Sequence, residues 1–439
     1  MQYLGAKNRS LNTIIEECSK YSKGGYILDL FAGSTIVSQA LSSTYNNVIS
    51  NDIQMYSKVF ANATLKINYE TKDFQHFFSL LDDITSNSIE YKFYSKFKTF
   101  VEKEKELLHA KNSEKLMLYY STFPNIWREC ENKSQYIEKL HKSLQENIDR
   151  LGFNIGPIVT LNYAGTYFGI KQSLDLDYLR NSIEEIKRKE YITEWEYNMF
   201  LTCLLSVVSK IVFSAGKHFA QPVSSEGVLR SSILNQRLLT DRSYDVLELF
   251  NKTVKSFLKH SEKISHAKNN ISLNNSMESF LEDDLELPKI DVIYADPPYT
   301  AQQYSRFYHI PEVIVQYKIP KLQIHKGSVT KGIYPEDKYK SRFCSKTKVK
   351  EAFKDLFKLT KKLDSVLILS YSESKNNTTG NERMIDLTTL DQLQQEIIPE
   401  YNSTKVEFNF DYKQLNNSKF IDNKKSDKEI LLVYSKKVR

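Results

Sequence analysis

"ILDLFAGSTIVSQAL", residues 27 to 41, decides the fold. A short apolar run reaches Asp29, a glycine follows at 33, and an apolar-periodic segment begins at once: strand, turn, helix. Next, "NNVISND" (46–52) reads as a second strand and "MYSKVFANATLKI" (55–67) as a second helix. A strand-helix-strand-helix start implies a parallel sheet. The pattern resumes late in the chain. "NNISL" (269–273), "IDVIYAD" (290–296) and "SVLILSYS" (365–372) read as strands, and "VKEAFKDLFKLTKKL" (349–363) as a helix. "TKVEFNFDY" (404–412) and "EILLVYS" (429–435) then suggest an antiparallel pair. The expected class is α/β, with residues 1–68 and 269–439 forming one domain. Residues 69–268 form a mainly helical insertion of about 200 residues, itself of domain size. In it, "MFLTCLLSVVSKIVF" (199–213) is expected as a buried helix, too short for a bilayer, and Asp241 is expected to open another helix.

Hydrophobic content of 41% allows a sizeable core. The N-terminus lacks a signal-peptide pattern, and four cysteines without paired spacing argue against a zinc site or disulfide framework. A cytoplasmic setting without membrane or metal is expected. Net charge is +7, but Lys318 to Lys362 holds 14 Lys and Arg against 4 acids. Such a run either meets a polyanion or is a solvated basic face.

The Gly33 turn lets backbone approach a ligand at a helix N-terminus, and Asp52 follows at the spacing of a ribose-binding acid. Together they suggest a nucleoside cofactor; a purely structural turn is the alternative. Without GxGxxG or GxxxxGK[ST], nicotinamide dinucleotides and nucleoside triphosphates are less favoured. In "DPPYTAQQYSRFYH" (296–309), Pro297 and Pro298 end the preceding strand and leave Asp296 at its carboxyl mouth, where open α/β sheets place chemistry.

These motifs, in this order, resemble the Dam-like alpha-class N6-adenine DNA methyltransferases of restriction–modification type. "YLGAK" (3–7) resembles the family's N-terminal motif, which implies that Tyr3 and Lys7 embrace the methionine end of S-adenosylmethionine. "DLFAGS" (29–34) resembles its FxGxG motif, giving Asp29, Phe31, Ala32, Gly33 and Ser34 to the cofactor; Thr35 stands where the second glycine would be. "NDI" (51–53) resembles the ribose motif, with Asp52 on the ribose and Ile53 beside the adenine. "DPPY" resembles the catalytic motif, Asp296, Pro297, Pro298 and Tyr299. Before the catalytic strand, "LNNSMESF" (273–280) offers Asn275 or Ser276 where the family often has an aspartate.

The resemblance implies a Rossmann-like fold with a mixed seven-stranded sheet, and methyl transfer to a flipped adenine in double-stranded DNA. It places target recognition in the insertion. Asp296 would accept one amino hydrogen and the Pro297 carbonyl the other, while Tyr299 stacks on the base. Tyr304 and Arg306, with Lys326 and Lys331 of the basic run, are candidate DNA contacts, as are Gln172, His218 and Gln221 of the insertion. Packing is the competing role for each aromatic, amide or imidazole. A cognate restriction endonuclease in a separate chain is a candidate partner. Cytosine-N4 or RNA adenine methylation, and a catalytically silent DNA-binding protein, are the rival functions.

Overall fold

A computed structural model describes residues 7, 10–45, 47–67, 79–80, 82, 94–128, 139, 142, 156–261, 269–373, 383–408 and 428–437. The chain divides into two compact units: Tyr3–Ile67 with Ser265–Ser305 and Tyr339–Arg439, and Met1–Gln2 with Asn68–Ile264 and Arg306–Lys338. The sequence alone groups 306–338 with the sheet; by its contacts this segment clusters with the helices.

The first unit is built on β1 (Tyr26–Asp29), β2 (Val48–Asn51), β3 (Ile271–Leu273), β4 (Ile290–Ala295), β7 (Val366–Glu373), β8 (Tyr401–Glu407) and β9 (Lys428–Lys436). Their order is β3-β2-β1-β4-β7-β9-β8, the expected seven-stranded sheet. The first five are parallel neighbours, and β9 enters antiparallel between β7 and β8. Order reverses between β1 and β4, so the crevice beyond their carboxyl ends is the switch point of the sheet.

Side chains alternate across these strands, and β1, β2 and β4 are buried on both faces, whereas the edge strand β8 is mostly exposed. On one face Ile27, Val292, Ile368 and Leu431 pack with Ile14, Cys18, Val37 and Leu41 of the helices α1 (Leu11–Tyr21) and α2 (Ile36–Thr44). On the other, Leu28, Ile293, Leu367 and Leu432 meet Phe353, Leu356 and Phe357 of the 349–362 helix and Leu390 and Leu393 of the 387–397 helix. Asp291 ties the entry to β4 to the entry to β1, accepting from the amides of Lys23 (2.6 Å) and Gly25 (2.8 Å).

The second unit has its own core, including Phe97, Val101, Leu116, Tyr120, Leu161, Leu174, Phe213 and Leu238. The apolar 199–213 stretch lies mostly in a buried helix, Glu194–Ile211, as expected. Thr193 and Glu196 start it with a reciprocal capping box. Asp241 does not open a helix. It ends the Ser232–Arg242 helix, held by Lys217 (2.7 Å) and Arg237 (3.2 Å). Asp245 instead starts the Val246–Ser261 helix, accepting from the Glu248 amide at 2.8 Å. This unit also carries a small hairpin, β5 (Ile324–His325) and β6 (Ser328–Val329).

Candidate active site

Within the sheet unit, one pocket lies at the switch point. Its lining includes Lys7, Asp29, Phe31, Ala32, Gly33, Ser34, Asp52, Ile53, Asn275, Ser276, Tyr294, Asp296, Pro298 and Tyr304. The strands explain the gathering. Asp29 is paired with Tyr294 across β1 and β4, and Asp296 is the second residue beyond Tyr294. β1 and β4 therefore deliver the glycine turn and the Asp-Pro-Pro turn to the same mouth.

The glycine turn is tight. Gly33 has φ +51° and Thr35 φ +62°, both left-handed. The left-handed region at position 35 is one that glycine fills without strain, and here a threonine occupies it. Its amide donates to the Ala32 carbonyl at 2.7 Å, and its hydroxyl accepts from Gln39 at 2.9 Å. Asp52 braces the same turn, accepting from the amides of Gly33 (2.9 Å) and Gln54 (2.8 Å).

Asp29 is buried. Ser38 donates to its Oδ2 at 2.6 Å, while Oδ1 has no hydrogen-bond partner. Burial pushes its carboxyl up to about 7, the Ser38 hydrogen bond opposes that, and Asp296 and Asp52 add to it. The Tyr294 hydroxyl, also lining the pocket, is likewise buried without a partner. Two unsatisfied polar atoms in one concave site are what a polar ligand would satisfy.

Asp296 is 23% exposed and lies 3.2 Å from Lys7 Nζ. Lys7 also donates to Glu429 on β9, which is only 3% exposed. Ser10 and Ser370 hydroxyls approach Glu429 at 3.5 Å each. Burial raises Asp296 to about 6; Lys7 pulls against this and Glu429 reinforces it. Burial alone would lower Lys7, but the charges of Asp296 and Glu429 outweigh it and hold the ammonium well above its ordinary value.

Tyr299 is fixed at its ring. The Arg383 guanidinium sits 4.8 Å from the ring centroid, and Tyr371 meets it edge-on at 5.8 Å. Arg383 is itself anchored on Ser372, to the carbonyl (2.8 Å) and the hydroxyl (2.7 Å).

The remaining sequence candidates divide. Tyr3 lies outside the described residues. Gln172 is buried, accepting from the Gly169 amide and donating to the Asp241 carbonyl, so it caps and ties helices internally. His218 packs edge-on against Phe307 at 4.8 Å, and burial lowers its pKa. Gln221, Arg306, Lys326 and Lys331 are exposed, with Arg306 lying over the Tyr334 ring at 4.9 Å. The basic run is divided by contacts: Lys318–Lys338 belongs to the helical unit and 339–362 to the sheet unit. In the latter, Arg342, Lys354, Lys358 and Lys361 are paired with acids.

Sequence reasoning missed Tyr294, Ser38, Arg383 and Glu429. Only Glu429 left a signal, an acid opening the otherwise apolar "EILLVYS".

A sequence model of the D12 class N6 adenine-specific DNA methyltransferases matches residues 3–212 and 244–377, across both units. The chain belongs to this D12 family. Among its relatives are Modification methylase LlaI of Lactococcus lactis subsp. lactis, 25% identical over 82% of this chain, and Modification methylase StsI of Streptococcus sanguinis, 24% identical over 85%. The chain covers 44% of the length of each. Type II methyltransferase M.CviAII of Paramecium bursaria Chlorella virus 1 is 26% identical, with 86% of this chain and 85% of the relative covered. The mixed seven-stranded sheet is consistent with the fold of this family. Among the described residues, no helix is long and apolar enough to cross a membrane.

Proposed function

We propose that this chain is a site-specific DNA methyltransferase that modifies the N6 amine of adenine in double-stranded DNA, with S-adenosylmethionine as methyl donor. Its role is the modification half of a restriction–modification system, with a cognate endonuclease as a separate partner. One observation carries the reading: the Asp29–Asp52 turn and Asp296 line a single pocket at the carboxyl ends of adjacent strands.

The pocket suits the cofactor. Asp29 Oδ1, buried without a partner, suits the amino-acid ammonium, Asp52 the ribose hydroxyls, and Ile53 and Phe31 the adenine. Lys7 stands between Asp296 and Glu429, so its work lies with the reacting amine more than with the methionine end. Bound there, the cofactor would supply an activated methyl group on a sulfonium.

The chain's own residues do the positioning. Adenine N6 is a poor nucleophile because its lone pair is delocalised into the ring. Asp296 accepts one amino hydrogen and the Pro297 carbonyl the other, drawing the nitrogen toward tetrahedral geometry. Pro297 and Pro298 stiffen that turn. Tyr299, held from one side by Arg383, stacks on the extruded base. The N6 proton is lost as the methyl is gained, and Asp296 is the nearest acceptor. Target recognition falls to the helical unit, where Gln221, Arg306, Lys326 and Lys331 are exposed.

The test is to incubate the protein with methyl-labelled S-adenosylmethionine and mixed-sequence duplex DNA, beside Asp296→Ala, then digest and identify the labelled nucleoside. Label in N6-methyladenine from the wild type, reduced about a hundredfold or more in the variant, is expected. Label in N4-methylcytosine or only in RNA would replace the substrate. Cofactor-free DNA binding with no label anywhere would leave a silent DNA-binding protein.

A further inference from the structure

The second acid paired with Lys7 has no part in the positioning scheme above. Glu429 lies on β9, buried at 3% exposure, and its carboxylate takes the closer of the two Lys7 contacts. A buried carboxylate is costly unless it is paired and hydrogen-bonded. Here the partners are Lys7 and two serine hydroxyls from α1's leading edge and from β7. β9 is held between β7 and β8 by a continuous antiparallel ladder, with Ser372 opposite Glu429, so the carboxylate stands on a rigid element.

We propose that Glu429 is a positioning residue that shares the Lys7 ammonium with Asp296 and so weakens its hold on that carboxylate. Asp296 thereby stays a strong hydrogen-bond acceptor for the target amine. The inference rests on the methyltransferase reading for its purpose, but its electrostatics stand apart from it. With Asp296 as its only acid, a buried ammonium would close onto that carboxylate and compete with the amine for its lone pairs. Both acids pair with the ammonium, and Lys7 Nζ stays within ion-pair distance of Asp296, at 3.2 Å. The groups facing Asp296 are Lys7, Glu429 and Ser370, with Tyr294, Tyr299 and Asp29 nearby. Among these described groups, Lys7 supplies the positive charge. Removing Glu429's charge therefore leaves the cation to Asp296 alone, and the carboxyl of Asp296 becomes more acidic.

The experiment is a carbon-13 titration of aspartate-labelled protein without DNA, with Asp296→Asn assigning the signal, in wild type and Glu429→Gln. Glutamine keeps the shape and can still accept from Lys7. The Asp296 midpoint is expected at lower pH in Glu429→Gln than in wild type. Glu429→Asp, which keeps the charge, is expected to retain a midpoint nearer wild type and guards against a folding defect in the first variant. In labelled-methyl assays, Glu429→Gln is expected to lower kcat, to move the acid limb of its pH profile downward, and to leave KM for cofactor and DNA within about twofold. An unchanged or raised Asp296 midpoint, or a loss of kcat with an unmoved acid limb, overturns the proposal. If the wild type methylates nothing, the functional reading fails, and the titration still decides whether Glu429 tunes Asp296.

Discussion

On the proposed chemistry Asp296 works as an anion, since a protonated carboxyl loses the lone pair offered to the amine. With burial holding it at about 6 in the free protein, methylation is expected to fall as pH drops through 6, read as kcat/KM against pH. Asp29 offers a second test, on stability. Its folded pKa of about 7 lies above its unfolded value near 3.8, so the folded state binds the extra proton. That contribution to stability is complete below the unfolded value and is lost as pH rises through 7. Asp29→Asn is therefore expected to flatten the decline in Tm between pH 5 and 8 while weakening S-adenosylmethionine binding, measured by thermal denaturation and calorimetric titration. Residues carried by local motif were legible in the sequence: Asp29, Gly33, Asp52 and Asp296 all line the pocket. Glu429 shows in the sequence only as an acid opening an apolar strand; its pairing with Lys7 was not legible, because the two lie 422 positions apart.

The elements follow from periodicity, and their edges from capping and close contact. Strands and helices flanking the two motifs were legible because apolar residues alternate by two in the one and by three and four in the other. The start of the 246–261 helix was not, since Asp241 and Asp245 are equally good caps by type, and only the ion pairs of Asp241 decide between them. Asp245→Ala is expected to cost about 1 kcal/mol, read by urea denaturation. At the entry to β1, a Cβ on Gly25 would stand 2.8 Å from the Asp291 carboxylate, which the Lys23 and Gly25 amides already hold in place. Gly25→Ala is expected to destabilise the sheet unit by roughly 1–3 kcal/mol, and to lower methylation by disturbing the β1–β4 register that aligns Asp29 with Asp296.

At the scale of the whole molecule, the two compact units are expected to unfold as two cooperative regions. Calorimetry is expected to resolve two transitions, of which S-adenosylmethionine raises one. At a hundred times its Kd the cofactor adds about 2.7 kcal/mol to the unit that holds it. DNA binding is a separate test. Lys326→Ala and Lys331→Ala are each expected to reduce the slope of log affinity against log salt by about 1 if they meet phosphates. That the run is divided between units was not legible in the sequence, because unit membership is set by contacts and not by proximity in the chain.

The pairing of β1 with β4 joins residues some 260 positions apart, Asp29 with Tyr294. At roughly 5–20 residues per second, a ribosome needs about ten to fifty seconds to travel between them. For that interval the newborn β1 has its hydrogen-bonding edge bare toward β4, and the pocket lacks the wall that carries Asp296. The nascent chain is therefore expected to be a client for chaperones until β4 is made. Ribosome-stalled chains ending before β4 should accordingly be held by chaperone and fail to retain cofactor.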